Sequence, residues 1–142
     1  MKYRVEFVTN SSSSNYVVAY RPAESGTNKN LSLEVIQIIL DSDGSYDTQA
    51  AEYFNTKEEL DKYIMDRYKS ICDTLEEAIE ISELEYLYST AIEYLRQGYT
   101  IATKDIGYGD RAMEKIIFKL AENNDDFIII GGSEIWNIEW DS

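Results

Sequence analysis

The segment Val5 to Tyr20, VEFVTNSSSSNYVVAY, places a run of small polar residues between two short apolar stretches. Apolar and charged side chains alternate before the run, and alternation returns from Tyr16 to Tyr20, which is the period of a half-buried strand. Pro22 follows, and proline cannot continue a hydrogen-bonded central strand. The segment therefore predicts an antiparallel hairpin that begins a β-sheet, with Ser11 to Ser14 in its loop.

The length and composition of the chain predict one folded domain. A chain of 142 residues can bury roughly two-thirds of its unfolded surface in a single core. Its apolar fraction of 44% and its aromatic fraction of 13% supply more buriable surface than a disordered chain has. We therefore predict a single domain over residues 1–142.

The middle of the chain changes from a strand pattern to helix patterns. Residues 31–40, LSLEVIQIIL, are rich in β-branched side chains and predict a strand. Apolar residues at helical spacing then predict a helix over 56–71, with Asn55 or Thr56 as its cap. A second helix starts near Asp73, and its apolar face changes phase near Ser82, so we expect a break there. Gly98 is predicted to end the longer part of this helix.

The last third of the chain alternates strand and helix patterns. Residues 99–106 predict a strand, residues 110–123 an amphipathic helix and residues 127–130 a fully buried strand. Gly131 and Gly132 suit a hairpin turn before a final strand over 134–140. Together these elements predict an α+β fold with a mixed or mostly antiparallel sheet of about six strands. Three or four helices are expected to pack mainly on one face of this sheet.

The serine run carries the one resemblance to known proteins. Residues Phe7 to Ser14, FVTNSSSS, precede an aromatic and apolar group at Tyr16, Val17 and Val18. This resembles a pattern near the N-terminus of small uncharacterised proteins from Firmicutes and their phages, F-V-[ST]-N-S-S-S-S. The chain departs from that pattern at Asn15, where a further serine is usual. The resemblance implies a bacterial or phage origin and no activity. A plain turn, a modification site and a recognition loop all stay open for the serines.

Charge restricts the partners that this chain can bind. There are 27 acidic and 13 basic residues, and the net charge is −14. Phosphate backbones and anionic lipid surfaces should repel such a protein, so we expect neither direct nucleic-acid binding nor membrane binding. An acidic protein can instead bind a basic protein surface, including one that normally holds nucleic acid.

Several features of the sequence predict a cytoplasmic protein. Charges at Lys2, Arg4 and Glu6 interrupt the apolar run that a secretion signal requires. No stretch approaches the roughly 20 apolar residues of a membrane span. Cys72 is the only cysteine, so an intrachain disulfide is impossible.

The segment from Asp41 to Asp47, DSDGSYD, looks like part of a calcium loop. Placing Gly44 at the glycine position of an EF-hand puts Ile39 at the first ligand position and Ala50 at the last. Starting the loop at Asp41 instead puts Tyr46 where glycine is required. Both alignments fail, so we predict a solvated turn and no metal centre, while cation binding at the turn stays open.

A glycine pattern between a predicted strand and helix gives the alternative functional interpretation. Gly107, Gly109 and Ala112 spell G-x-G-x-x-A, which in nucleotide-binding folds brings phosphate to a helix N-terminus. Asp110 lies within this loop, where its charge would repel phosphate, so we interpret Asp110 as a helix N-cap. A small ligand- or nucleotide-binding domain, with or without enzymatic activity, stays the alternative.

Catalytic chemistry has little support in the sequence. The chain contains no histidine, so no Ser-His or Cys-His pair can form, and Cys72 is expected to be a packed side chain at a helix junction. We predict no cofactor and favour a non-enzymatic protein. Twelve tyrosines in an acidic chain suit protein recognition instead.

The preferred prediction is an acidic protein-binding protein of phage or mobile-element origin. It would inhibit a nucleic-acid enzyme by occupying its basic surface, as a DNA mimic or an anti-CRISPR-like protein does. Six carboxylates are predicted to present negative charge to that partner: Asp41, Asp43, Asp47, Glu122, Asp125 and Asp126.

Overall fold

The computed structural model of this chain describes residues 13–22, 33–43, 48–81, 84–107 and 109–131. Four strands and five helices lie within these residues. In chain order they are β1 (Ser13–Tyr20), α1 (Leu33–Asp41), β2 (Glu52–Phe54), α2 (Lys57–Tyr68), α3 (Leu75–Ile81), α4 (Glu85–Arg96), β3 (Thr100–Gly107), α5 (Arg111–Asn123) and β4 (Phe127–Gly131).

The strands form one antiparallel sheet in the order β2-β3-β1-β4. The strand β1 pairs with β3 along its whole length, from Ser13 opposite Gly107 to Tyr20 opposite Thr100. Because β3 and β4 both run antiparallel to β1, they are parallel to each other with β1 between them. The unit β3-α5-β4 is therefore a split strand-helix-strand unit.

Helices cover both faces of the sheet because β1 is apolar on both sides. Val17 and Ala19 point toward the cluster that contains the buried residues of α2, α3 and α4. Tyr16, Val18 and Tyr20 point toward the opposite cluster, which contains the buried residues of α1 and α5. All five side chains are at most 2% exposed. The central strand therefore separates two cores, each closed by its own helices.

This architecture confirms the predicted α+β class and corrects its details. We predicted about six strands and three or four helices mainly on one face, whereas the described residues contain four strands and five helices on both faces. None of these helices combines the length and the apolar character needed to cross a bilayer.

The predicted strand over residues 31–40 is wrong, because its described part belongs to the helix α1. Ile36 and Leu40 lie four residues apart on one face of this helix and are 3% and 0% exposed. Helical spacing of these buried contacts outweighs the strand preference of β-branched side chains, which depends strongly on context.

Several helix ends match the sequence prediction. Thr56 and Glu59 form a capping box at α2: the Glu59 N–H donates to Thr56 Oγ1 at 3.1 Å, and the Thr56 N–H donates to Glu59 Oε1 at 3.2 Å. The expected break near Ser82 is confirmed, since α3 ends at Ile81 and α4 begins at Glu85. The cap of α3 lies one residue later than predicted, because Thr74 accepts from the Glu77 N–H at 3.2 Å.

The strand predictions at the two ends of the chain are only partly covered. Ser13 and Ser14 lie in β1, so the prediction of a loop is wrong for these two serines. The predicted strands before the serine run and over 134–140, and the turn at Gly132, lie outside the described residues. β4 was predicted to be fully buried, but only Phe127 and Gly131 are, because β4 lies at one end of the described strand order.

Gly98 ends α4 with a backbone angle that disfavours other residues. Its φ of 89° is in the left-handed region. The Gly98 N–H donates to the Leu95 carbonyl at 3.1 Å, and the Tyr99 N–H donates to the Tyr94 carbonyl at 3.0 Å. These two bonds form the Schellman arrangement that closes a helix before a sharp turn.

We predict that Gly98→Ala lowers the free energy of unfolding by about 1 kcal/mol, because alanine is strained at positive φ. A Cβ at this position would meet no atom within 4 Å, so the loss should arise from the backbone alone. Urea denaturation measures it. Gly98→Asn is the matched control and should lose less, since asparagine tolerates the left-handed region. Equal stability of all three proteins would contradict this interpretation.

Candidate functional site

Lys104 is a lysine buried inside the sheet-helix interface. It lies in β3 on the face that packs against α1 and α5, and it is 1% exposed. Its Nζ donates to three backbone carbonyls, those of Leu40 at 2.7 Å, Ser42 at 2.6 Å and Gln49 at 2.7 Å. The three donors of an ammonium group are thus matched by three acceptors, which a buried charge requires.

The surroundings of Lys104 act on its charge in two directions. Burial lowers the pKa of Lys104 to about 8, and the carboxylates of Asp41, Asp110 and Asp43 oppose this change. At pH 7 the side chain is therefore an ammonium group. The Leu40 carbonyl that accepts from Lys104 lies in the last turn of α1, where backbone carbonyls carry partial negative charge that favours a cation.

The sequence analysis missed Lys104, although a signal for its burial is present. Ala102, Lys104 and Ile106 share one face of β3 by the two-residue period of a strand, and both neighbours are buried. A charged residue between two core positions of a strand indicates either that the strand lies at the edge of its sheet or that the charge has a polar partner inside the core. The contact here is internal.

Asp110 occupies the turn between β3 and α5. Its Oδ1 accepts from the Met113 N–H at 3.2 Å, which confirms the predicted N-cap. Its Oδ2 accepts from the hydroxyl of the buried Thr48 at 2.6 Å, and the Thr48 oxygen accepts from the Gly107 N–H at 3.0 Å. A carboxylate therefore lies where the glycine pattern would place a phosphate. The nucleotide alternative stays a prediction that no contact of this turn favours.

A small polar cleft lies beside β3 on the opposite face of the sheet. It encloses about 190 Å³, and Asn15, Tyr63, Arg67, Thr103 and Asp105 are among its lining residues. Asn15 Nδ2 donates to Thr103 Oγ1 at 2.6 Å and to Asp105 Oδ1 at 2.9 Å. Burial raises the pKa of the Tyr63 phenol, and the Arg67 guanidinium lies 5.5 Å from its ring centre. The polar groups contact one another and carry both signs of charge, so they single out no ligand class.

The predicted carboxylates fall into two groups at opposite ends of α5. Asp41 and Asp43 are exposed at the end of α1, and both act on the charge of Lys104 near the N-terminus of α5. Glu122 and Asp125 are exposed at its C-terminus. The 13 residues of α5 span about 20 Å, so the structure does not bring the two groups together. Asp47 lies outside the described residues.

Asp126 is a structural residue rather than an open carboxylate. Its Oδ1 accepts from Arg21 Nε at 3.0 Å and from the Tyr99 hydroxyl at 3.3 Å. The Arg21 guanidinium also lies 4.5 Å from the centre of the Tyr99 ring. This cluster connects the end of β1 to the start of β4, and the Asp126 side chain is only 14% exposed.

The sequence analysis also missed an acidic surface on α3 and the first turn of α4. Glu76, Glu80 and Glu85 are exposed there. The large side chains of Ile81 and Tyr86 are 55% and 74% exposed beside these carboxylates in the chain. The signal in the sequence is the absence of any Lys or Arg from residue 70 to residue 95, where seven acidic residues occur: Asp73, Glu76, Glu77, Glu80, Glu83, Glu85 and Glu93.

No family model, curated protein or solved structure matches this chain. Within the described residues, no group of three or more Asp, Glu or Cys side chains is arranged to hold a metal ion. The described geometry and charge are therefore the observations on which a function can be proposed.

We predict that Lys104 makes stability depend on pH between about 8 and 10. An unfolded lysine has a pKa near 10.4, so in this range the unfolded chain binds a proton that the folded chain has released, and stability rises with pH. The stability of the wild type relative to Lys104→Met should increase by on the order of 3 kcal/mol over this range. Urea denaturation at each pH measures the difference.

The comparison with Lys104→Met separates this effect from Cys72. Burial raises the pKa of the Cys72 thiol, which lowers stability as pH rises over part of the same range. Cys72 is present in both proteins, so its contribution cancels in the difference. A difference that stays constant from pH 7 to pH 10 would show that Lys104 titrates as it does in the unfolded chain.

Proposed function

We propose that this chain is a non-enzymatic protein that binds a basic protein surface through α3 and the first turn of α4. The observation that supports the proposal is the combination of exposed carboxylates at Glu76, Glu80 and Glu85 with the exposed side chains of Ile81 and Tyr86. Apolar contact area supplies affinity in protein interfaces, and complementary charge supplies orientation and a fast association rate.

The charges on this surface are available to a partner. Of the 27 acidic residues in the chain, several are engaged within the protein, such as Asp126 with Arg21 and Asp110 with Thr48. No ion pair within the described part of the chain involves Glu76, Glu80 or Glu85. A basic partner could therefore approach them without first breaking an ion pair to any described residue.

The predicted carboxylates Glu122 and Asp125 are a second exposed acidic group, and the proposed contact surface does not include them. They lie on the other side of the sheet from α3, because α5 packs on the opposite face. Asp41 and Asp43 stay predicted contacts at the far end of α5. Asp126 is left out of the contact surface because Arg21 and Tyr99 already bind its carboxylate.

The finer proposal is that the basic surface belongs to a nucleic-acid enzyme, which the chain inhibits. Surfaces that hold phosphate are rich in Lys and Arg, and carboxylates can replace phosphate as their partners. The net charge of −14 supports this proposal, since it favours basic proteins over other surfaces. A bacterial or phage origin is proposed on the resemblance of the serine run alone.

We predict that an affinity column of this protein retains basic nucleic-acid-binding proteins from a nuclease-treated bacterial extract. Duplex DNA should release them, because it competes for the same surface, and the dissociation constant should rise steeply with salt. Retention of proteins that DNA cannot displace would contradict the proposed mode of binding.

Two double charge reversals then locate the contact surface. Glu76→Lys with Glu80→Lys should weaken binding of a retained protein by about tenfold or more, because like charges meet at the interface. Glu122→Lys with Asp125→Lys changes the net charge by the same amount and is the matched control. Equal weakening by both variants would indicate that only overall charge matters and would contradict a contact at α3.

A further inference from the structure

The six large apolar side chains that are exposed within the described residues form two groups on opposite faces of the sheet. Three precede or belong to α3 and α4, namely Ile71, Ile81 and Tyr86. The other three lie on α1 and α5, namely Val35, Ile38 and Ile116. Where exposed apolar side chains adjoin a groove, the combined surface can bind another protein.

The second group borders a groove between α1 and α5. The groove encloses about 380 Å³, and its apolar lining consists of Ile39, Ile116 and Leu120. The exposed side chains of Val35 at 39% and Ile38 at 69% continue the apolar surface along α1. This helix is therefore apolar around most of its circumference, although only one side of it is buried.

The border of the groove along α5 is basic. Arg111, Lys115 and Lys119 are spaced four residues apart on this helix, so they lie along one side of it, and all three are exposed. Lys115 and Lys119 line the groove itself. Lys119 also forms an exposed ion pair with Glu122, whose Oε2 lies 3.6 Å from the Lys119 Nζ, and exposed pairs of this kind are weak. Three basic side chains thus lie in a row along one side of α5, in a chain whose net charge is −14.

We propose that the α1–α5 groove binds the acidic surface of α3 and α4 on a second copy of this chain. The two surfaces are complementary: Ile81 and Tyr86 match the apolar groove, and Glu76 and Glu80 match Lys115 and Lys119. The carboxylates of Glu76 and Glu80 are four residues apart on α3, as Lys115 and Lys119 are on α5, so one turn of each helix can meet the other.

The position of the two surfaces determines how the copies associate. Because the groove and the acidic surface lie on opposite faces of the sheet, each copy presents a free groove at one side and a free acidic surface at the other. The contact is head-to-tail and can continue from copy to copy. Repulsion between copies that each carry a charge of −14 opposes it, but salt near 0.15 M screens charges beyond about 8 Å while contacting pairs persist.

This association would compete with the proposed function, because a basic partner and a second copy would occupy the same acidic surface. The groove is used only in self-association. Variants of Lys115 and Lys119 therefore test the self-association without altering the surface proposed to bind the partner.

Sedimentation velocity on purified protein tests the proposal with a charge exchange. The wild type should associate as its concentration rises toward about 1 mM, and association should weaken in 1 M NaCl. Lys115→Glu with Lys119→Glu, and separately Glu76→Lys with Glu80→Lys, should each reduce self-association by at least about tenfold. An equimolar mixture of the two variants should associate again, because an acidic groove then meets a basic α3.

The matched control is Lys62→Glu in α2 with Lys69→Glu at the C-cap of that helix. It makes the same charge change away from the groove and, at a salt concentration that screens distant charges, should associate as the wild type does. Recovery in the mixture can occur only if both variants are folded, so it separates lost contact from lost structure. A wild type that stays monomeric over the whole concentration range overturns the proposal. A mixture that stays monomeric, or groove variants that associate as the wild type does, also overturns it.

Discussion

The arrangement of the sheet and its α1–α5 face depends on the hydrogen bonds of one buried lysine. Lys104 projects from a central strand into a core. Its charge is tolerated there because three backbone carbonyls accept hydrogen bonds from its ammonium group. Those carbonyls come from the end of α1 and from Gln49 in the segment that leads into β2. The Leu40 carbonyl also accepts from the Ala51 N–H at 2.9 Å. This bond joins the end of α1 directly to the segment that leads into β2. The Thr48 and Asp110 pair continues this polar connection to α5. One face of the sheet is thus positioned by polar contacts as much as by apolar packing.

The other organising constraint is a central strand that is apolar on both sides. A sheet with helices on one face leaves its other face for water or for a partner, whereas β1 leaves neither face available. The surfaces open to interaction are then the outward sides of helices. Both helix layers expose large apolar side chains to solvent, for example Ile38 on α1 and Tyr86 on α4. Charge distinguishes the two layers further, since α3 carries exposed carboxylates and α5 carries a row of basic side chains beside the groove.

Features that depend on neighbouring residues were predictable from the sequence, and features that depend on distant ones were not. The capping box at Thr56, the glycine at position 98 and the N-cap at Asp110 follow from side chains within three residues of a helix end. The helix α1 was predicted as a strand because its outward side is apolar too, so its helical period was hidden. The pairing of Asp126 with Arg21 spans 105 positions and has no local signature. The acidic residues of α3 are evident in the sequence, but they did not stand out because carboxylates occur along the whole chain.

The length of β2 has a consequence for how the protein can associate. This strand has three residues and lies at one end of the described strand order, where its outer backbone groups face away from the sheet. An exposed strand edge is a template for pairing with another chain, and a short edge bearing a charge such as Glu52 offers little of that template. Growth of the sheet from molecule to molecule is therefore disfavoured at this end. At this end of the described sheet, recognition of a partner therefore depends on side chains of neighbouring helices, whose charges respond to salt and to mutation, rather than on backbone pairing, which accepts almost any sequence.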